Sequence, residues 1–125
     1  MPTLQEMLSS ANDEVPKVTA EEAHELISGR DALLVDVRDA PELAGQGKLR
    51  GAVNVSRGML EFRADPSGTY HNPEFQRERP VILYCASGGR SALAGKTLRE
   101  MGYGEVYNLG GFGDAATAGF PTEPA

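Results

Sequence analysis

Residues 81–101 read VILYCASGGRSALAGKTLREM, and this stretch decides the fold. Val81, Ile82, Leu83, Tyr84 and Cys85 form an apolar run with no polar alternation, the pattern of a strand buried on both faces of a parallel sheet. Ala86 to Gly89 follow as a short loop with two adjacent glycines. Beyond it, Leu93, Ala94, Thr97, Leu98 and Met101 share one face of a helix that begins near Arg90 and stops before Gly102. A buried strand that passes through a tight loop into a helix belongs to an α/β domain.

The flanking sequence repeats that alternation. Ala32 to Val37 is a second apolar run, with Asp36 at its end, and Val53–Val55 and Val106–Leu109 are weaker strand candidates beside glycines. Thr19 with Glu22 forms a capping box that opens a helix carrying Ala23, Leu26 and Ile27 on one face, with Gly29 expected as its C-terminal cap. The reading is a single α/β domain with a central, mostly parallel sheet covered by helices on both faces. Thr3 with Glu6 is another capping box, opening a short helix through Leu4, Met7 and Leu8 that Asn12, Asp13 and Pro16 are expected to stop. Residues 1–16 are therefore read as an N-terminal helical appendage and residues 17–125 as the domain. Arg63 to Arg79, with Asp65, Pro66, Ser67, Gly68, Asn72 and Pro73, reads as a surface excursion.

Composition narrows the function classes. A chain of 125 residues has room for one domain, and its 40% hydrophobic and 24% charged content is that of a globular protein able to build a core without staples. Cys85 is the sole cysteine, so no internal disulfide forms, and with two histidines a dedicated Cys/His zinc site is excluded. No metal or cofactor is called for. The net charge of −6 opposes binding to nucleic acid or to anionic membrane. No apolar run approaches the roughly 20 residues of a membrane span, and the acidic first 30 residues lack the order of a secretory signal, so a soluble cytoplasmic protein is expected. The charge is uneven: residues 46–100 carry nine basic side chains against five acidic ones, either a solvated surface or a field that steers a small anion.

The chemistry lies in the loop. Glycines at 88 and 89 let the backbone curl so that successive N–H groups of residues 86–91 point inward, and the following helix adds the positive end of its dipole at the same place. An anion would be held at the centre by Ala86, Ser87, Gly88, Gly89, Arg90 and Ser91. A cysteine at the edge of such a cradle has its thiolate stabilised, and the thiolate is the nucleophile. Cys85 is the candidate catalytic residue.

Cys85, Gly88 and Arg90 fit the pattern C-x-x-G-x-R, and in this the chain resembles the single-domain rhodaneses, a sulfurtransferase family. Other segments agree in order and spacing: Leu34 to Arg38 with its Asp-x-Arg, Glu42 with Leu43, Gly51 to Val55, Gly110 with Gly111, and Gly119 to Pro121. The resemblance spans about residues 17–122. It implies a five-stranded parallel sheet and a two-step cycle: Cys85 takes a sulfane sulfur from a small anionic donor such as thiosulfate, then passes it from the persulfide to cyanide, a thiol or a protein acceptor. Arg90 would either close the loop or touch the donor, and Arg57, next to the Asn54 segment, would be a donor-binding charge. The chain departs from the family at Lys48, Leu49 and Arg50, where His-apolar-Pro is common, and at Ala115, where a tryptophan is usual.

Rival readings are weaker. A cysteine-dependent phosphatase has five residues between cysteine and arginine, whereas Ala86 to Gly89 are four, a narrower cradle that suits sulfur better than tetrahedral phosphate. Gly111, Phe112, Gly113 and Ala116 mimic a dinucleotide fingerprint, but too little chain follows to hold the acidic residue it needs. His24 and His71 lie in a helix and a turn-rich segment, where an exposed histidine is the simpler reading than a base for Cys85. Asp36 is read as a structural strand-end aspartate. A sulfur-carrier or docking module with little small-molecule turnover is the alternative to the enzyme.

Overall fold

The computed structural model describes residues 1–125. Six helices and six short strands alternate: α1 (Leu4–Glu14), α2 (Ala20–Arg30), β1 (Leu33–Asp36), α3 (Ala40–Gln46), β2 (Lys48–Leu49), β3 (Val53–Asn54), α4 (Leu60–Ala64), β4 (Val81–Cys85), α5 (Gly89–Glu100), β5 (Val106–Gly111), α6 (Phe112–Thr117) and β6 (Thr122–Glu123), with a 3₁₀ turn at Arg57–Met59. The central sheet is parallel throughout, in the order β3-β1-β4-β5, while β2 and β6 form a separate antiparallel pair. Its strands are four, not five. A fifth is present as a single parallel bridge, in which Asn108 donates to the Pro16 carbonyl (2.9 Å) and accepts from Val18 N–H (3.0 Å). Pro16 has no N–H to extend the ladder, so pairing at this edge stops there.

Alternation along the strands sorts the core into two layers. Leu33, Val35, Val81, Leu83, Cys85 and Val106 pack with Val15, Leu60, Ala64, Ala94 and Leu98 on the face covered by α1, α4 and α5. Leu34, Ile82 and Tyr84 pack with Ala23, Ala115 and Phe120 on the face covered by α2 and α6. Helices therefore cover both faces, as expected, and the period of two places Cys85 on the α5 side and Asp36 on the opposite one.

Several local expectations are corrected. Both capping boxes form, with Thr3 and Thr19 hydroxyls accepting from Glu6 and Glu22 N–H at 3.1 Å. However, α1 runs through Asn12 and Asp13 to Glu14, because both are exposed and leave the helix backbone unchallenged. It lies against α5: Ala11 and Val15 are fully buried, and Lys96 bonds to Ser10 Oγ (2.8 Å) and pairs with Glu14. The left-handed residue closing α2 is Asp31 (φ 55°), not Gly29. Arg79 donates to its carbonyl at 2.6 Å and holds that turn. The 63–79 excursion is pinned at Phe75, fully buried and edge-on to Tyr103, whose hydroxyl donates to the Ala64 carbonyl (2.6 Å).

Docking of α1 rests on a small residue. A Cβ at Gly95 would stand 2.9 Å from both methyls of the buried Val15. Overpacking of this kind costs about 1–3 kcal/mol, against roughly 1 kcal/mol recovered by alanine over glycine inside a helix. Gly95→Ala is expected to lower the thermal midpoint, and Gly95→Ala with Val15→Ala to cost less than the two single changes added together. Strict additivity in thermal melts would show that Val15 and Gly95 do not press on one another.

Candidate active site

Cys85 is the last residue of β4 and points toward α5 because it shares the parity of Leu83. Gly88 then turns the chain at φ 102°, in the left-handed region that favours glycine, and its N–H donates to Cys85 Sγ at 3.0 Å. Ser91, in the first turn of α5 and fully buried, brings its Oγ to 3.4 Å from the same sulfur. The backbone N–H groups of Ser91 and Ser87 also act on it. Burial pushes the thiol up, but the Ser91 hydroxyl and the N–H groups of Ser91, Ser87 and Gly88 outweigh it, so the thiol lies below its ordinary value. Ala86 and Ser87 are exposed at the rim, and Gly88, Gly89 and Arg90 are half-buried. Of the loop residues singled out by sequence, Ser87, Gly88 and Ser91 act directly on the sulfur, while the Arg90 side chain turns to Glu42.

β5 presses on the loop from the side. A Cβ at Gly111 would stand 2.6 Å from the Ala86 carbonyl oxygen, and one at Gly88 would stand 3.3 Å from Gly110 Cα. The pairing of β4 with β5 skips Leu109, taking Leu83 opposite Asn108 and then Tyr84 opposite Gly110, a bulge that brings Gly111 opposite Cys85. Asn108, not recognised from sequence, has its side chain beside the loop: Oδ1 accepts from Ser91 Oγ (2.7 Å) and Gly110 N–H (2.9 Å), and Nδ2 donates to the Gly88 carbonyl (3.1 Å).

Arg90 closes the loop. Its guanidinium makes a bidentate pair with Glu42 of α3 at 2.8 and 2.9 Å, and Glu42 also accepts from Asp39 N–H at 2.8 Å. The Arg90 pairing, helped by the Asp39 N–H, holds the Glu42 carboxyl down at about 2. Arg57 lies elsewhere, bonded to Glu61 (3.0 Å) and to Thr97 of α5 (3.0 Å). His24 packs edge-on to Phe120, and His71 Nε2 meets the Phe75 carbonyl at 2.9 Å. The basic stretch is largely spent within the chain, since Lys48, Arg57, Arg79, Arg90 and Lys96 all have carboxylate partners.

On the far face, Asp36 and Arg38 form a fully buried pair with Arg38 Nη2 2.7 Å from Asp36 Oδ2. Arg38 also donates to the Gly47 carbonyl (2.8 Å) and lies 4.4 Å over the Phe112 ring. Burial works against its charge, but the hydrogen bonds and charge of Asp36 outweigh that and raise it above the ordinary guanidinium value. Asn54 Nδ2 ties the carbonyls of Asp36 and Arg38 together at 3.0 and 2.9 Å. In the departures from the family pattern, Lys48 pairs with Glu123 and bonds the Ala52 carbonyl, Leu49 is fully buried, and Ala115 sits in the α6-side core with Tyr84 and Phe120.

A parallel α/β sheet with a cysteine loop between strand end and helix start defines a rhodanese-type domain. The chain belongs to the rhodanese-like domain family, whose pattern matches residues 19–116. Among its relatives are a sulfurtransferase of Allochromatium vinosum, 36% identical over 69% of this chain and 72% of the relative, and the thiosulfate sulfurtransferase GlpE of Coxiella burnetii, 31% identical over 83% and 89%. The uncharacterized protein YqhL of Bacillus subtilis is 40% identical over 66% of this chain, which spans 60% of that relative's length. A solved structure from Rhodopseudomonas palustris, described as a protein of unknown function and possible tyrosine phosphatase, has 40% identity and a TM-score of 0.88 over 98% of this chain and 96% of its own. No helix is long and apolar enough to cross a membrane.

Two outcomes test this geometry. Gly111→Ala must displace the Ala86 carbonyl, and the rate of iodoacetamide alkylation of Cys85 at neutral pH is expected to fall on the order of tenfold with the fold retained; an unchanged rate would mean that the loop does not depend on β5. Glu42 has its folded value depressed, so its contribution to stability is complete above about 4.5 and is lost as pH falls through about 2. Glu42→Gln is therefore expected to lower the urea midpoint at neutral pH and to converge with the native protein as pH falls toward 2. A constant gap in the two urea curves would count against the pair.

Proposed function

We propose that this protein is a sulfurtransferase that works through a persulfide on Cys85. The observation that carries the reading is the Cys85 sulfur itself, buried, held below its ordinary thiol value and faced by N–H groups of its own loop. Membership of the rhodanese-like family and the names of the Allochromatium and Coxiella relatives support it.

In the first step the thiolate attacks the outer sulfur of a donor such as thiosulfate. The S–S bond of the donor breaks and sulfite leaves with the electron pair, placing the sulfane sulfur on Cys85 as an anionic persulfide. The loop N–H groups that act on the sulfur, those of Ser87, Gly88 and Ser91, are the donors proposed to receive that anion. In the second step cyanide or a thiolate attacks the terminal sulfur, the persulfide S–S bond breaks, and the Cys85 thiolate returns as thiocyanate or a new persulfide departs. No net oxidation occurs, so no metal or redox cofactor enters the cycle. In this reading Arg90 shapes the loop through Glu42, whereas a donor-binding part for Arg57 would require its release from Glu61 and Thr97.

The Rhodopseudomonas neighbour brings phosphatase chemistry forward as the competing reading. Two features speak against it here: four residues, not five, separate Cys85 from Arg90, and the Arg90 guanidinium is already spent on Glu42. Intact mass spectrometry distinguishes the readings. The native protein is expected to gain one sulfur atom with thiosulfate and to lose it to cyanide as thiocyanate appears, while Cys85→Ser stays folded and gains nothing. Turnover of p-nitrophenyl phosphate without sulfur uptake would establish the phosphatase, and loading only by a partner protein would establish a carrier.

A further inference from the structure

Four polar or charged side chains are buried in this protein: Asp36, Arg38, Ser91 and Asn108. The first two satisfy each other on the far face of the sheet. The other two stand beside Cys85, and together they leave one hydrogen to be shared. Ser91 has a single hydroxyl proton and two neighbours for it, Asn108 Oδ1 at 2.7 Å and Cys85 Sγ at 3.4 Å. Asn108 meanwhile holds the Gly88 carbonyl through Nδ2 at 3.1 Å, and Gly88 is the residue whose own N–H reaches the sulfur at 3.0 Å. One carboxamide thus grips two of the residues that act on Cys85 Sγ, Gly88 and Ser91.

We propose that Asn108 is the positioning residue of the site, fixing the Gly88 peptide and the Ser91 hydroxyl so that the hydroxyl can turn between Asn108 and the Cys85 sulfur. With the thiol protonated, S–H donates to Ser91 Oγ and the hydroxyl donates to Asn108 Oδ1. When the thiol proton has gone to solvent, the hydroxyl turns to the sulfur, and Oδ1 keeps Gly110 N–H at 2.9 Å, so no buried acceptor is stranded in either state. A carboxamide is suited to this in a way other side chains are not. Aspartate would lack the donor for Gly88 and add a negative charge beside a thiolate, leucine would satisfy none of the three partners, and serine is too short to span them. Organising the β5 bulge needs only the Gly110 bond, so the contacts to Gly88 and Ser91 are additional to it. The charged group coupled to the sulfur is Arg90, which is balanced by Glu42.

The inference rests on Cys85 being the reactive group, and its test reads the thiol directly, without a sulfur donor. The rate of iodoacetamide alkylation of Cys85 is followed from about pH 5 to about pH 10 in the native protein and in Asn108→Ser, Asn108→Asp and Asn108→Leu, with thermal melts alongside. The midpoint is expected to rise by about one pH unit in Asn108→Leu, further in Asn108→Asp and least in Asn108→Ser. A loss of packing alone would lower the melt and leave the midpoint in place. Any folded Asn108 variant with the native midpoint overturns the proposal. Ser91→Ala, a change small enough to leave the helix intact, gives an independent decision: it too must raise the midpoint, and adding Asn108→Leu to it must raise it by less than in the native background. An unchanged midpoint with normal sulfur transfer would remove this inference alone, and a shifted midpoint without sulfur transfer would remove the proposed function alone.

Discussion

The buried ion pair between Asp36 and Arg38 is the constraint on which the rest of the arrangement hangs. Two charges without exposed surface are tolerated only when each is fully hydrogen-bonded, because removing either partner strands the other in a medium that cannot solvate it. Asp36 is therefore obliged to keep Arg38, and Arg38 spends its remaining donors on Gly47 and Gln46, at the C-terminal end of α3. The first turn of α3 carries Glu42, which grips Arg90 at the start of α5. A charge pair on one face of the sheet thereby fixes a helix that crosses its C-terminal edge and clamps the loop on the other face. Tyr84 links the layers as well: it stands opposite Asp36 in register, lies under Arg38, and its hydroxyl accepts from Leu49 N–H of β2 at 3.0 Å.

Within that frame the position of Cys85 follows from counting. A shift of one residue in the register of β4 would exchange the two faces, turning Tyr84 toward α5 and Cys85 toward Phe112. The register is secured by Leu33, Leu34, Val35 and Asp36 opposite Val81, Ile82, Leu83 and Tyr84, with every one of these side chains buried. β5 then departs from regularity where regularity would place a side chain against the loop. Its bulge at Leu109 delivers Gly111 to the one place where a Cβ would strike the Ala86 carbonyl. The glycines at 88 and 111 serve different needs, the first a positive φ and the second a close backbone approach.

Sequence reading reached the parts of this arrangement that are local. β4 is legible at its own residues because an unbroken apolar run has one buried solution in an α/β domain, and the loop into α5 follows from its glycines. Both capping boxes form because their partners are three residues apart. The reading stopped where partners come from distant segments. Glu42 belongs to a local acidic-apolar pair, but nothing local says that it meets Arg90, 48 residues on. Asn108 looks like an ordinary polar residue in a weak strand, and only the skipped pairing at Leu109 brings its carboxamide to Ser91 and Gly88. The full length of α1 is hidden for the converse reason: Asn12 and Asp13 carry a local stop signal, and the burial of Ala11 and Val15 against α5 overrides it. The fifth strand expected from the family resemblance shrank to one bridge because Pro16 cannot donate.

The choice of neutral donors around Cys85 bears on the kind of group the site can carry. A site built for a phosphate dianion does best with a guanidinium aimed at the ligand, since charge meets charge. Here the nearest guanidinium is neutralised by Glu42, and the groups facing the sulfur are peptide N–H dipoles and one hydroxyl. Such dipoles stabilise a single negative charge without demanding a second. In the proposed cycle the resting thiolate and the loaded persulfide are both monoanions differing by one neutral sulfur atom, so one fixed set of dipoles serves both ends of the transfer and need not reorganise between them. By tying Arg90 to Glu42 of α3, the fold keeps the loop geometry that an arginine can impose while a carboxylate offsets its charge beside the anion.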